Sequence, residues 1–204
     1  MTASSLPPRP IPSEHFMLVL PRCKLRNVIR VAVSWADNYP FHVIPRYPMA
    51  NIPVQDSRGY FVLPQGYEGG GFYVYGSPGG GRSQYAHPIM ISLICTVASR
   101  WSALDGRRFG VGDISLAGGP RHPDHATHRT GLEVDIRPLR RDGKHLPCTI
   151  RDREYDHEAT ARLIRLFLNA SGVKKVLFND ATVTGVWRAV GHDNHFHVAL
   201  KPKG

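Results

Sequence analysis

The sequence has no apolar run long enough to cross a bilayer, no CxxC pair and no HExxH motif. A membrane span needs ~20 predominantly apolar residues. The longest apolar stretch, Ile89–Leu104, is interrupted by Ser92, Thr96, Ser99, Arg100 and Ser102. Three cysteines, Cys23, Cys95 and Cys148, are too few for a disulfide framework and wrongly spaced for a thiolate zinc site, although one bridge is open to them. A secretory signal needs a basic start and an apolar core of ~7–15 residues. Met1–Ser13 is instead rich in proline and serine, and Phe16–Leu20 is too short. No arginine-rich tract or aromatic-interleaved basic stripe occurs, which argues against a nucleic-acid partner.

What is present fits a soluble globular chain. Its 204 residues can bury a sizeable core. Lys plus Arg outnumber Asp plus Glu by 26 to 16, a formal net charge of +10 that suits an anionic partner. Residues 1–15 read as a flexible Pro-rich arm and residues 16–204 as a single domain. Val28–Trp35, Phe41–Ile44 and Arg58–Leu63 are β-prone. Gly66–Gly81, with glycine runs among aromatics, reads as a mobile surface loop, the alternative being a lid or groove wall.

His87-Pro88 opens a helix whose Ile91, Ile94, Cys95, Ala98 and Trp101 repeat at helical spacing. A second helix covers His157–Ala170, with Asp152 or Asp156 as its cap and Gly172 at its close. Gly110–Leu116, Lys174–Phe178 and His195–Leu200 read as strands. The fold class is α+β: a central, mostly antiparallel sheet flanked by two main helices and long loops.

Six of the eleven histidines fall in two short clusters. In the second, His195-Phe196-His197-Val198 alternates as a strand does, so both imidazoles project to one side and Phe196 and Val198 to the other. That suits two metal ligands, or one ligand and one catalytic neighbour. In the first, Leu132, Val134 and Ile136 alternate with Gly131, Glu133 and Asp135, again a strand. A turn at Gly131 would bring His128 back towards Asp135. Two histidines and one carboxylate make a catalytic zinc set that leaves a position for water. A closed structural site would instead need a fourth ligand, from His125, His192 or His195.

The stretch His125-Ala-Thr-His128-Arg-Thr-Gly-Leu-Glu-Val-Asp135-Ile, with Gly-His192-Asp-Asn-His195-Phe-His197-Val far downstream, resembles the penicillin-insensitive murein endopeptidases. These group with the lysostaphin-type, D-Ala-D-Ala carboxypeptidase and hedgehog-like zinc peptidases. Val111–Ile114, Arg141–His145 and Val173–Asn179 fit the same resemblance, which runs from about Tyr60 to Leu200.

The resemblance implies that His128, Asp135 and His197 hold Zn2+ and that His195 is catalytic beside it. His192, a further catalytic candidate, and His125 match other family histidines near the site, and Glu133 is a candidate partner of a ligand. The implied reaction is hydrolysis of the D-Ala–meso-diaminopimelate cross-link of peptidoglycan, in the periplasm or at the cell wall. A D,D-carboxypeptidase and a zinc-containing wall-binding module are the alternatives.

Delivery without a signal would take a secretion apparatus, phage lysis or prior loss of a leader. An antibacterial effector would also meet an immunity protein. The sequence departs from the family's pattern at Glu133, commonly aspartate, and at Arg129, commonly neutral. The paired cysteines of the best-known member are not evident, and residues 1–55 have no counterpart.

Overall fold

Two strands of alternating character set the centre of the molecule. In β5 (Glu133–Ile136), Val134 and Ile136 are fully buried in the core. In β7 (Phe196–Leu200), Phe196, Val198 and Leu200 do the same. Their partners along each strand, Glu133, Asp135 and His197, point to the other face, as the two-residue period requires. β5 and β7 pair antiparallel with Asp135 opposite His197. A slip of one residue would turn one of these side chains into the core.

The computed structural model describes residues 55–65 and 70–202, all within one unit that spans Tyr47–Gly204. The arm boundary at residues 15/16, and the β-prone runs Val28–Trp35 and Phe41–Ile44, lie outside the described residues. Around the central pair the sheet has five strands in the order β2 (Phe72–Val74), β4 (Phe109–Val111), β5, β7, β6 (Val173–Leu177). The β4–β5, β5–β7 and β7–β6 pairings are antiparallel and β2–β4 is parallel. A separate pair joins β1 (Phe61–Val62) to β3 (Tyr85–Ala86).

The expected helices are present. α1 spans Pro88–Ser102, with His87 at its cap accepting from the Ile89 N–H. α2 spans His157–Leu168 and is capped by Asp156, which accepts from the Ala159 N–H. Both bury their apolar stripes in one core with the sheet. A run of ring contacts, Phe72–Phe109–Phe167–Phe196–Phe178, with centroids 5.8–6.2 Å apart, ties α2 to β2, β4 and β7. Each such ring contributes ~1.5–3 kcal/mol by leaving water.

One expectation is corrected. Gly66–Gly81, read as a surface loop, contains β2, an edge strand whose Phe72 is core. The sequence signal was hidden because β2 is only three residues long and lies next to glycines. Cys95 and Cys148 are both free thiols, and no helix among the described residues is long and apolar enough to cross a membrane.

Candidate metal centre

Three donor atoms converge where β5, β7 and the 113–132 segment meet. His128 Nε2 lies 3.2 Å from His197 Nδ1 and 3.2 Å from Asp135 Oδ1, and His197 Nδ1 lies 2.9 Å from that oxygen. All three residues are buried. β5 and β7 supply Asp135 and His197 through their register. His128 arrives by the turn at Gly131, which has φ +68; a side chain there would also meet the His87 nitrogen at 2.8 Å and the Tyr60 ring at 2.9 Å. The His87 N–H then donates to the Gly131 carbonyl, securing the turn to the start of α1.

The second nitrogen of each histidine settles which one faces inward. His128 Nδ1 is 3.2 Å from the Ile114 carbonyl, which can only accept, so this nitrogen carries the proton and Nε2 presents a lone pair. His197 Nε2 faces Glu133 Oε1 at 3.8 Å, leaving Nδ1 on the inner side. A tetrahedral ion with bonds of ~2.0–2.1 Å keeps its ligand atoms ~3.3 Å apart. The observed 2.9–3.2 Å triangle lies slightly inside that spacing, so side-chain shifts of a few tenths of an ångström at most would let the donor set hold such an ion.

The electrostatics agree with a site built for a cation. Burial pushes the Asp135 carboxyl up, but His128 and His197 beside it more than offset this and hold it well below the usual range. Burial lowers the His197 imidazole, while Asp135 and Glu133 raise it, with a net rise to about 9. Burial raises Glu133 and the neighbouring His197 lowers it, the net shift being downward. A proton and a metal ion would compete for the same inward lone pair.

Two further imidazoles reach Asp135. His195 Nε2 lies 3.6 Å from Asp135 Oδ1, with its Nδ1 against Asn194 Oδ1 at 2.7 Å. Burial holds this ring below its ordinary range, against the pull of Asp135. His125 Nδ1 lies 3.6 Å from Asp135 Oδ2, and its Nε2 meets Asp113 Oδ2 at 2.9 Å. The bond to Asp113 raises the His125 pKa, with burial acting the other way. His192 is less engaged: its Nδ1 turns to the Ala189 and Val190 carbonyls, and its ring stands 4.8 Å from that of His195.

Two donor groups, His125/His128/Asp135 and Asp113/His122/His125, are also close enough to bind an ion. In the latter, His122 already uses both nitrogens, accepting from the Asp124 N–H and donating to the Ser77 carbonyl. Its role is to hold its loop. Asp113 is the residue that sequence reasoning missed. The available signal was a lone carboxylate among the apolar residues Val111 and Ile114.

Comparison with known proteins places this geometry in context. Residues 79–157 match the family model described as penicillin-insensitive murein endopeptidase. That stretch includes His125, His128 and Asp135, while His192, His195 and His197 lie beyond it. Penicillin-insensitive murein endopeptidases of Escherichia coli K12 (DH10B) and Shigella boydii serotype 18 are each 30% identical over 59% of this chain and 55% of their own length. That of Escherichia coli O9:H4 is 29% identical over the same shares. The chain thus spans about half the length of the curated relatives it matches. Over that half, and through the segment that carries the first histidine cluster, the chain resembles the penicillin-insensitive murein endopeptidases.

Proposed function

We propose that this chain is a zinc-dependent peptidoglycan hydrolase that cuts peptide cross-links, with His128, Asp135 and His197 as the zinc ligands. The observation that carries the reading is the buried triangle of two imidazole nitrogens and one carboxylate oxygen, with the outer nitrogens of both rings turned to a carbonyl and a carboxylate. Two histidines and one carboxylate, with a position left for substrate, make a catalytic zinc donor set. Zinc, when bound, would supply Lewis acidity to the scissile carbonyl and to the attacking water.

The chain's own residues supply the proton handling and the positioning. His195, held below its ordinary pKa by burial, is neutral near pH 7 and can take the proton of the attacking water. It can then return that proton to the leaving amine. Asn194 fixes its ring by bonding Nδ1. His125 gives its Nε2 proton to Asp113, which favours the doubly protonated ring, and only in that form can Nδ1, 3.6 Å from Asp135 Oδ2, donate to the developing oxyanion. Glu133 orients His197. The matched relatives are named for murein endopeptidase activity, and the bond assigned here is D-Ala–meso-diaminopimelate, cut in the periplasm or at the wall.

Incubation with purified sacculi, with and without chelator, tests this. Cross-linked dimers should fall and monomers rise by mass analysis, chelator should stop the change and zinc should restore it. His128→Ala, Asp135→Ala and His197→Ala should lose both stoichiometric zinc and activity. His195→Ala should keep most of the zinc and lose activity. Unchanged cleavage after complete chelation would overturn the reading, and release of D-Ala from monomeric pentapeptides in place of dimer cleavage would make the enzyme a D,D-carboxypeptidase.

A further inference from the structure

The sheet face that holds the metal centre continues away from it over β4 and β2. β4 and the residue after it present glycines there. A Cβ on Gly110 would lie 2.7 Å from the Tyr73 ring and hydroxyl, and one on Gly112 would lie 2.6 Å from those of Tyr75. The absent side chains leave a trough across which both tyrosine rings lie. Arg137 follows two residues after Asp135 and stays paired to this surface through its N–H to the Gly110 carbonyl. Its guanidinium carbon sits 3.8 Å from the Tyr75 ring centroid, and the Tyr73 hydroxyl is within its reach. Tyr73 in turn stacks on His145 at 3.9 Å.

Among the described residues, Arg137 is one of the arginines without a carboxylate partner. Arg58, Arg107, Arg140, Arg151 and Arg162 each have a carboxylate within 4.0 Å. Arg137 has none among the described residues, although it is half-buried. Among the described residues its guanidinium makes one long bond, Nη1 to the His145 carbonyl at 3.4 Å, at the outer limit, and lies beside the Tyr73 hydroxyl. A plain strut for the His145 loop would not need a cation. An aromatic platform that orients a guanidinium and leaves most of its donors free suits a carboxylate ligand, which arginine can bind through two parallel bonds. Residues two apart on a strand have Cα atoms ~6–7 Å apart, so the arginine stands within one substrate residue of Asp135.

From these contacts we propose that Arg137, set over the Tyr75 ring, is a specificity residue that binds a free carboxylate of the substrate peptide beside the scissile bond. This rests on the peptidase reading above. The carboxylate has two possible sources in a cross-linked stem peptide: the chain-terminal one and the one on the diamino acid.

The test is equilibrium binding of the two cleavage-product stem peptides to the zinc-loaded wild type, to Arg137→Gln and to Arg137→Lys. Each peptide is used with both carboxylates free, with the chain-terminal one amidated, or with the diamino-acid one amidated. Arg137→Gln should weaken binding of the free acid by about 10- to 100-fold, the range for a hydrogen bond to a charged group. Arg137→Lys should recover part of this. Amidating the relevant carboxylate should weaken wild-type binding as much, and should cost nothing further in Arg137→Gln. The amide that shows this non-additivity identifies the source.

On cross-linked dimers, KM should rise in Arg137→Gln with kcat little changed. Equal binding of acid and amide by wild type, or an equal loss on every peptide in Arg137→Gln, overturns the inference. Failure of the wild type to cleave any dimer would overturn the peptidase reading, while the binding contrast would still decide the role of Arg137.

Discussion

Asp113 links two parts of the centre through its two carboxylate oxygens. Oδ1 accepts from the Ser77 N–H at 2.6 Å, and Oδ2 meets His125 Nε2 at 2.9 Å. The pairing leaves His125 Nδ1 as the nitrogen turned to Asp135. Burial raises the Asp113 pKa, but His125 and its other donors outweigh this, so it is ionised and keeps its grip at neutral pH. Asp113→Asn should keep near-stoichiometric zinc and lower turnover about 10- to 100-fold, the usual cost of losing the partner of a site histidine. Metal analysis beside steady-state kinetics would check this, and unchanged turnover would remove Asp113 from the machinery. The HxH spacing placed His195 and His197 on one face, and both do approach Asp135. Which of them enters the triangle depends on the cross-strand pairing of Asp135 with His197, a contact between residues 62 apart that no local pattern encodes.

At the scale of elements, the amphipathic helices and the alternating strands were legible because 3.6- and two-residue periods are local properties. β2 was not, because it is three residues long and its burial comes from the partner strand, where Phe72 packs beside Phe109 of β4. α2 is anchored by a feature with a pH signature. Arg107 donates to Asp156, the cap of α2, at 2.8 Å and to Asp105 at 2.6 Å. Its bond holds Asp105 below the ordinary carboxylate range, and at Asp156 it and the Ala159 N–H outweigh the upward push of burial.

Depressed carboxylate pKa values stabilise the fold above the unfolded value of ~3.9, and that contribution is lost as pH falls through the lower folded values. Arg107→Ala should therefore destabilise by about 1–2 kcal/mol at pH 7, solvent screening keeping it below a fully buried pair. The gap from wild type should close as pH falls below ~4. Denaturant titrations at pH 7 and pH 3 would measure it, and an equal gap at both would show that the ion pairs do not contribute.

For the whole molecule, the centre draws together β5, β7 and the loop before β5, so an ion bound there would cross-link parts of the chain far apart in sequence. At a free metal concentration 100 times the dissociation constant, the native state gains ~2.7 kcal/mol. Chelation should then lower the unfolding temperature by about 5–10 °C, read by calorimetry and reversed by zinc. The net charge of +10 acts at the same scale. Retention on sacculi should fall as salt rises from ~0.05 to ~0.5 M, because the Debye length shrinks from over 10 Å towards a few Å. Salt-independent retention in a pelleting assay would show that the net charge does not drive binding.

Sequence alone determined the local matters: two helices with their caps, alternating strands at Glu133–Ile136 and Phe196–Leu200, and a short inventory of imidazoles and carboxylates able to hold a metal. Periodicity and residue chemistry are written within a few neighbours, so they can be read there. The tertiary structure alone decided the register that sets Asp135 against His197 and the outer partners that turn His128 Nε2 and His197 Nδ1 inward. It also placed Asp113 behind His125 and set Arg137 over Tyr75, with no acid within 4.0 Å among the described residues. Each of these depends on contacts between segments distant in the chain, and folding, not spacing, brings such segments together.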